Sequence, residues 1–245
     1  MGDIRVITGL NMEKEKFDIF GYDIFVSEDH RFGTDAVLLA RFASPSPKDA
    51  VCDLCTGCGI IPVLFTALKK QPFMTYGVEI QQEAYDLFSE TVDKNGLGEK
   101  IKPIKADLTK DEELFAVPRE KMDIVTVNPP YFKVRAGLER LSQQQAIARH
   151  EILCNLEQVI RAASLLLKYG GSLKICHIPE RLTDIMCLMR KYGIEPKILQ
   201  PACHKASDKP YLVLLSGRKG GKPGLSLEKP VIVEEVNDEL FGDRY

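Results

Sequence analysis

The sequence predicts an α/β fold, with a doubly wound, mostly parallel seven-stranded sheet that ends in an antiparallel strand. From residue 50 onward short apolar segments alternate with helical ones, and this βαβ pattern is typical of a parallel sheet. The pattern breaks at residues 195–200 and 211–216, because the loop between these strands is too short for a helical crossover, so they should pair antiparallel. A chain of 245 residues is long enough for one large core.

The first part of the chain is predicted to be an extension packed on this domain. Residues 17–26 alternate apolar and polar side chains around a glycine, which is typical of a short hairpin. A helix should follow over residues 36–42, with Thr34 or Asp35 as its cap. We therefore expect an N-terminal extension (1–48), a main domain (49–220) and a C-terminal tail (221–245).

The main domain follows as strands and helices in turn. Gly96 and Gly193 stand where two of the helices should end, as glycine commonly does. The predicted strands cover residues 50–54, 73–78, 101–105, 122–127 and 172–178, and the helices cover 59–69, 82–95, 156–167 and 181–192.

Composition excludes several classes of protein. Lys and Arg total 33 against 35 for Asp and Glu, a net charge of −2, so a nucleic-acid site would have to be a local basic patch. The sequence contains no apolar run of the ~20 residues that a membrane helix needs, and its start lacks the pattern of a signal peptide. We expect a cytoplasmic protein with no membrane partner.

Seven cysteines are present, and we expect them to be reduced thiols. Cys52, Cys55 and Cys58 have the spacing of three iron–sulfur ligands. However, Cys52 lies within a predicted strand, and no fourth cysteine follows nearby. We therefore expect no metal.

The first candidate site is the turn after the first strand of the main domain. Gly57 and Gly59 remove Cβ atoms between a strand and a helix, where a ligand can approach the backbone and the helix N-terminus. The third glycine of the dinucleotide fingerprint is absent, so a tight turn without a ligand stays open as an alternative.

Acidic residues follow at the ends of the next two strands. Glu79 lies 22 residues after Gly57, where a carboxylate can accept hydrogen bonds from ribose hydroxyls. Asp107 ends the third strand and could accept from an adenine amino group. Because the carboxyl ends of parallel strands share one edge of the sheet, these residues predict a cofactor that contains a nucleoside.

The fourth strand is followed by Asn128, Pro129, Pro130 and Tyr131. The two prolines fix the backbone, so that the Asn128 side chain and the Pro129 carbonyl face the cleft as two acceptors for one amino group. Tyr131 offers an aromatic face on which a planar base or amide can stack.

These motifs together resemble the class I S-adenosylmethionine-dependent methyltransferases that modify an amino nitrogen. The resemblance covers about residues 30–218. Residues 31–39 and 148–151 make the chain most similar to the bacterial tRNA(Val) adenine-N6 methyltransferase family.

The resemblance implies S-adenosylmethionine as cofactor and assigns roles by position. Asn128 to Tyr131 would be catalytic. Among the cofactor-binding residues, Gly57 and Gly59 would lie behind the cofactor, Glu79 would bind its ribose and Asp107 its adenine. The other residues assigned to the cofactor are Thr34 and Asp53 at its methionine end, together with Cys55, Ile80 and Asn128.

RNA, most simply tRNA, is the expected partner of a monomer or homodimer. Two polar segments at the expected mouth of the cleft offer phosphate contacts. Their candidate residues are Lys133, Arg135, Arg140, Arg149, Lys205, Arg218, Lys219 and Lys222.

Three alternatives stay open. The same tetrad serves enzymes that methylate a glutamine amide in a protein, although those usually carry a helical domain before the first strand. The amino group of a base in rRNA or DNA has a suitable geometry too. A module that binds cofactor or RNA without catalysis is the third alternative.

Overall fold

The computed structural model describes residues 14–129 and 155–236. Its helices are α1 (Thr34–Ala43), α2 (Ile60–Ala67), α3 (Gln82–Lys94), α4 (Asp111–Leu114), α5 (Leu156–Leu166) and α6 (Leu182–Lys191), with a 3₁₀ turn at Pro179–Arg181. Its strands are β1 (Glu15–Ile19), β2 (Tyr22–Val26), β3 (Ala50–Leu54), β4 (Met74–Glu79), β5 (Ile101–Lys105), β6 (Met122–Val127), β7 (Leu167–His177), β8 (Ile194–Cys203), β9 (Leu212–Lys219), β10 (Ser226–Leu227) and β11 (Val231–Ile232).

The central sheet has the order β10-β8-β9-β7-β6-β3-β4-β5, with β11 also paired to β8. Strand β9 runs antiparallel to both β7 and β8, and every other pairing in this sheet of the described residues is parallel. The predicted fold class is confirmed. Two strands of two residues each, β10 and β11, join the seven predicted ones, and segments this short give no alternation that a sequence could reveal.

The core lies in two layers on opposite faces of the sheet. Val51 packs with α1, α2 and α3, whereas its neighbour Cys52 packs with α5 and α6. Ile124 and Val125 on β6 divide in the same way. Because successive strand residues point to opposite faces, continuous apolar strands supply both layers, as a doubly wound sheet requires.

The N-terminal hairpin of β1 and β2 is fixed to helix α3 by side chains of its last turn and of Asn95, the residue that follows it. Asn95 Oδ1 accepts a hydrogen bond from Asp23 N at 2.9 Å, and its Nδ2 donates to Asp23 O at 2.7 Å. Thr91 Oγ1 accepts from Phe25 N at 3.1 Å. The helix thus satisfies backbone groups of β2 that would otherwise form an open strand edge.

The start of helix α1 differs from the prediction. The helix begins at Thr34 with Gly33 as its cap residue, and no side chain makes the capping bond. The expectation that Thr34 or Asp35 caps the helix is therefore wrong. Asp35 lies inside the first turn, where one of its oxygens accepts from Ala36 N at 3.0 Å.

The direction of β9 decides which basic residues can lie near the carboxyl ends of the parallel strands. Val213 pairs with His177 at the carboxyl end of β7, whereas Arg218 pairs with Ser172 towards the other end. The expectation that Arg218, Lys219 and Lys222 lie at the mouth of the cleft is wrong, because an antiparallel strand carries its own carboxyl end to the opposite edge. Lys219 Nζ there donates to the carbonyls of Ser164 and Leu167, both at 2.8 Å.

No helix within residues 14–129 and 155–236 combines the length and the apolar character that a membrane span requires. The boundaries of the three predicted regions stay a prediction.

Candidate active site

A cleft of about 360 Å³ opens at the carboxyl ends of β3, β4 and β6. Four segments form its walls: residues 29–36 before and within α1, the turn after β3 with the start of α2, the end of β4, and the end of β6. The lining residues are Asp29, His30, Arg31, Phe32, Gly33, Asp35, Ala36, Cys55, Thr56, Gly57, Cys58, Ile60, Ile61, Glu79, Asn128 and Pro129.

The two glycines of the turn after β3 have different surroundings. Both have positive φ, +58° at Gly57 and +80° at Gly59. A Cβ at Gly57 would meet nothing within 4 Å, so this position leaves open space beside the cleft. A Cβ at Gly59 would lie 1.9 Å from Cδ2 of Phe88, on α3. Gly59 is therefore required for helix packing, a role that the sequence analysis missed.

Glu79 ties the turn to the next strand. Its Oε2 accepts from Gly57 N at 2.9 Å, and its Oε1 accepts from Ile80 N and Gln81 N, both at 2.9 Å. The residue is buried, 3% exposed, yet it lines the cleft. Since a carboxylate offers about four acceptor sites, Glu79 can hold the turn and still accept from a ligand hydroxyl.

Asp53 lies beneath the turn. The fully buried carboxylate accepts from Thr56 Oγ1 at 2.7 Å and from Thr126 Oγ1 at 2.5 Å, and so links β3 to β6. The pKa of Asp53 is raised to about 7, chiefly by burial and to a lesser extent by the Glu79 charge, while the hydrogen bonds from the two hydroxyls oppose the shift. Asp53 thus supports the floor of the cleft.

The Asn128 carboxamide is held at both ends. Its Nδ2 donates to Asp35 Oδ2 at 2.9 Å, and its Oδ1 accepts from Cys176 Sγ at 3.0 Å. Asp35 comes from α1 and Cys176 from β7, so three distant segments meet at this amide. The sequence analysis gave neither partner a role in the site.

Asp107 lies at the end of β5. Its Oδ1 accepts from Thr109 N and Thr109 Oγ1 at 2.9 and 2.7 Å. Partial burial raises the pKa of Asp107, but the Thr109 bonds and the Lys110 charge outweigh it and hold the value below its usual range.

The structure brings part of the predicted site together. Cys55, Gly57, Glu79, Asn128 and Pro129 line the cleft. Five other predicted cofactor residues are not among the described residues of that lining: Thr34, Asp53, Gly59, Ile80 and Asp107. Six more lie outside the described residues: Pro130, Tyr131, Lys133, Arg135, Arg140 and Arg149.

The cysteines of the turn are thiols in a protein interior. Burial raises the pKa of Cys58 to about 12, and burial followed by the Asp53 charge raises that of Cys52 well above its usual value. In the part of the chain that the structure describes, no three His, Cys, Asp or Glu side chains are placed to hold one metal ion.

The sequence of this chain is similar to that of known methyltransferases. The family model of the methyltransferase small domain matches residues 23–183. A tRNA1(Val) (adenine(37)-N6)-methyltransferase of Histophilus somni is 29% identical over 191 residues, which cover 76% of this chain and 75% of that protein. An enzyme of the same name from Porphyromonas gingivalis is 28% identical over 185 residues, 72% of this chain and 71% of that protein.

Solved structures have the same fold. A predicted O-methyltransferase of Agrobacterium tumefaciens superposes with a TM-score of 0.63 at 21% identity, over 81% of this chain and 86% of that chain. Identity at this level shows a shared architecture, in which the ligand cleft lies outside the carboxyl ends of the strands.

Proposed function

This chain belongs to the methyltransferase small-domain family, and on that premise we propose that it transfers a methyl group from S-adenosylmethionine to the exocyclic N6 amine of an adenine in tRNA. One observation carries the proposal: the Asn128 carboxamide, held at both ends, lies with Pro129 on the wall of the cleft. The names of the relatives support tRNA adenine as the substrate.

The cleft fits a cofactor that contains a nucleoside. Glu79 places a buried carboxylate at the cleft wall, where ribose hydroxyls can donate to it. Gly57 leaves open space beside it, so a ligand can lie against the backbone. When bound, S-adenosylmethionine supplies an electrophilic methyl group on a sulfonium that leaves readily.

The protein's part in the reaction is to position the amine. An exocyclic amine is a poor nucleophile, because its lone pair is delocalised into the ring. Acceptors at Asn128 Oδ1 and the Pro129 carbonyl draw the two N–H bonds out of the ring plane and direct the lone pair towards the methyl group. Such positioning is worth several kcal/mol. The methylated amine would carry a positive charge and release its proton to water, so no dedicated general base is required.

An adenine in folded RNA must leave its base stack to reach the cleft, which costs a few kcal/mol. In this proposal the Tyr131 ring offsets part of that cost by stacking on the base. Transfer to a glutamine amide or to a base of rRNA or DNA, and cofactor binding without turnover, are outcomes that the experiment distinguishes.

The test is methyl transfer from labelled S-adenosylmethionine to tRNA transcripts, rRNA, duplex DNA and a release-factor protein, followed by mass spectrometry of the products. We expect N6-methyladenosine from tRNA, and a loss of at least about a hundredfold in Asn128→Ala, since one preorganised polar group contributes that much. Gln200→Ala removes a carboxamide on β8, where it donates to Lys229 O, and should leave transfer unchanged. Label at a glutamine, or cofactor binding without transfer to any substrate, would contradict the proposal.

A further inference from the structure

The orientation of the Asn128 carboxamide decides whether an acceptor or a donor meets the substrate amine. A carboxamide can rotate by 180° with little change in shape, and this exchanges its oxygen and nitrogen. Only the oxygen can accept an N–H, so the reaction proposed above requires one of the two orientations. The structure contains groups that distinguish them.

Cys176 does not select between the orientations. Its thiol donates to Asn128 Oδ1 at 3.0 Å, but a thiol is both a weak donor and a weak acceptor. After rotation the same sulfur could accept from Asn128 Nδ2. The thiol therefore contributes little to the choice.

Asp35 does select, because an ionised carboxylate only accepts. Its Oδ2 accepts a hydrogen bond from Asn128 Nδ2 at 2.9 Å. Rotation of the amide would place its oxygen against this carboxylate oxygen with no proton between them. The Asp35 side chain is itself restrained in the first turn of α1, since its Oδ1 accepts from Ala36 N at 3.0 Å. The restrained carboxylate therefore favours the orientation in which Asn128 Nδ2 points towards it.

The surroundings of Asp35 are compatible with this role. Tyr211 follows the loop after β8, and burial together with the Asp35 charge raises its pKa to about 12. Tyr211 therefore stays protonated at neutral pH and brings no second negative charge to the site.

We propose that Asp35 is a positioning residue that holds the Asn128 carboxamide with its oxygen directed to the substrate amine. The proposal rests on the proposed function, in which that oxygen accepts the amine. It also assigns the N-terminal extension a part in catalysis, because α1 brings the carboxylate to the end of β6 from 93 residues away in the sequence.

A double-mutant cycle tests the consequence for catalysis. Asp35→Asn keeps the size of the side chain but lets either orientation of Asn128 form a hydrogen bond. We expect kcat on the tRNA transcripts to fall by about tenfold to a hundredfold, the range of a charge-assisted hydrogen bond, while the Kd for S-adenosylmethionine by calorimetry changes by less than about threefold. In an Asn128→Ala background the same change should have no further effect on kcat.

The control is Glu28→Gln, which removes an exposed carboxylate just before the wall segment 29–36 and should leave kcat unchanged. An equal loss from Asp35→Asn in both backgrounds would show that Asp35 acts without Asn128, and would overturn the proposal. A large rise in the Kd for the cofactor that accounts for the loss would overturn it as well.

Nuclear magnetic resonance tests the orientation without any turnover. The Asn128 side-chain amide signal, assigned by its absence in Asn128→Ala, should be shifted downfield and slow to exchange in the wild-type protein, and should lose both properties in Asp35→Asn. An amide signal that Asp35→Asn leaves unchanged would overturn the proposal. If the protein methylates no tRNA but the signal behaves as expected, the substrate assignment fails and the orientation by Asp35 stands.

Discussion

Asp53 joins two strands beneath the cleft, and its burial makes that connection dependent on pH. The carboxyl has an ordinary pKa of 3.8 in an unfolded chain and a pKa of about 7 in the folded protein. Between these values the folded state binds more protons, so the free energy of unfolding should fall as pH rises from about 4 to 7. Above pH 7 this loss is complete.

Asp53→Asn should remove this loss, because an amide does not titrate in this range. Its oxygen can accept from one threonine, Thr56 or Thr126, and its nitrogen can donate to the other. Relative to wild type, the variant should gain stability between pH 4 and 7 by on the order of a few kcal/mol, since one pKa unit corresponds to about 1.4 kcal/mol. Urea denaturation at several pH values measures the difference. Asp86→Asn, an exposed change on α3, should show no such gain, and parallel wild-type and Asp53→Asn curves would refute the prediction.

Gly57 and Gly59 belong to one sequence motif but have different roles in the structure. The sequence assigned both to the cofactor, but the ring against Gly59 belongs to Phe88, which lies 29 positions later in a different helix. No local pattern connects the two. Gly57, which borders open space on the cleft, is where the prediction and the geometry agree.

The two glycines should therefore respond differently to alanine. Gly57→Ala should cost about 1–2 kcal/mol, the strain of a left-handed alanine. Gly59→Ala should cost a further ~1–3 kcal/mol, because its Cβ would overlap the Phe88 ring. Denaturant unfolding gives both values, and Phe88→Leu should recover part of the loss in Gly59→Ala but none in Gly57→Ala. Equal losses at the two glycines would contradict the packing role.

At the scale of elements, the sequence predicted the hairpin and helix α1, but it did not predict how the hairpin is anchored or that it supports the cleft. Alternation over residues 17–26 indicated β1 and β2, and apolar spacing indicated α1. The anchoring side chains are Thr91 in α3 and Asn95 directly after it, and in the sequence both resemble ordinary polar residues of a helix and its end. Because the hairpin leads directly into residues 29–36, this anchor supports one wall of the cleft.

Asn95→Ala should release the hairpin and weaken the wall. It removes one acceptor and one donor that serve Asp23, so the free energy of unfolding should fall by about 1–3 kcal/mol. Hydrogen exchange at the Asp23 amide should quicken, and the affinity for S-adenosylmethionine should fall several-fold. Thr91→Val is the matched control with one lost bond, at Phe25, and should have a smaller effect. An unchanged affinity for S-adenosylmethionine would show that the hairpin anchor does not support the cleft, and would contradict the prediction.

For the whole molecule, the alternation of strands and helices predicted the main sheet and the edge at which the cleft lies. The short loop between the last two long strands predicted their antiparallel pairing. The sequence did not reveal that β9 inserts between β7 and β8, because nothing in a strand's composition states its neighbours. The antiparallel direction of β9 places Arg218 and Lys219 at its carboxyl end, and Lys222 beyond it, away from the cleft.

The same topology separates two groups of cations, and RNA binding should distinguish them. Lys205 and Lys209 lie in the loop from β8 to β9, at the edge that carries the cleft, whereas Arg218 and Lys222 lie towards the other edge. Lys205 pairs with Glu234 at 3.3 Å, but both side chains are exposed, so this bond is weak and can yield to a phosphate.

Lys205→Ala combined with Lys209→Ala should weaken tRNA binding, and the slope of log affinity against log salt should become shallower by about 1–2. Arg218→Ala combined with Lys222→Ala removes the same net charge from the far edge and should change neither quantity. Filter binding of a tRNA transcript at several salt concentrations measures both. If the far pair weakens binding as much as the near pair, the RNA must extend around the end of the sheet. An RNA confined to the cleft edge leaves the far pair in solvent.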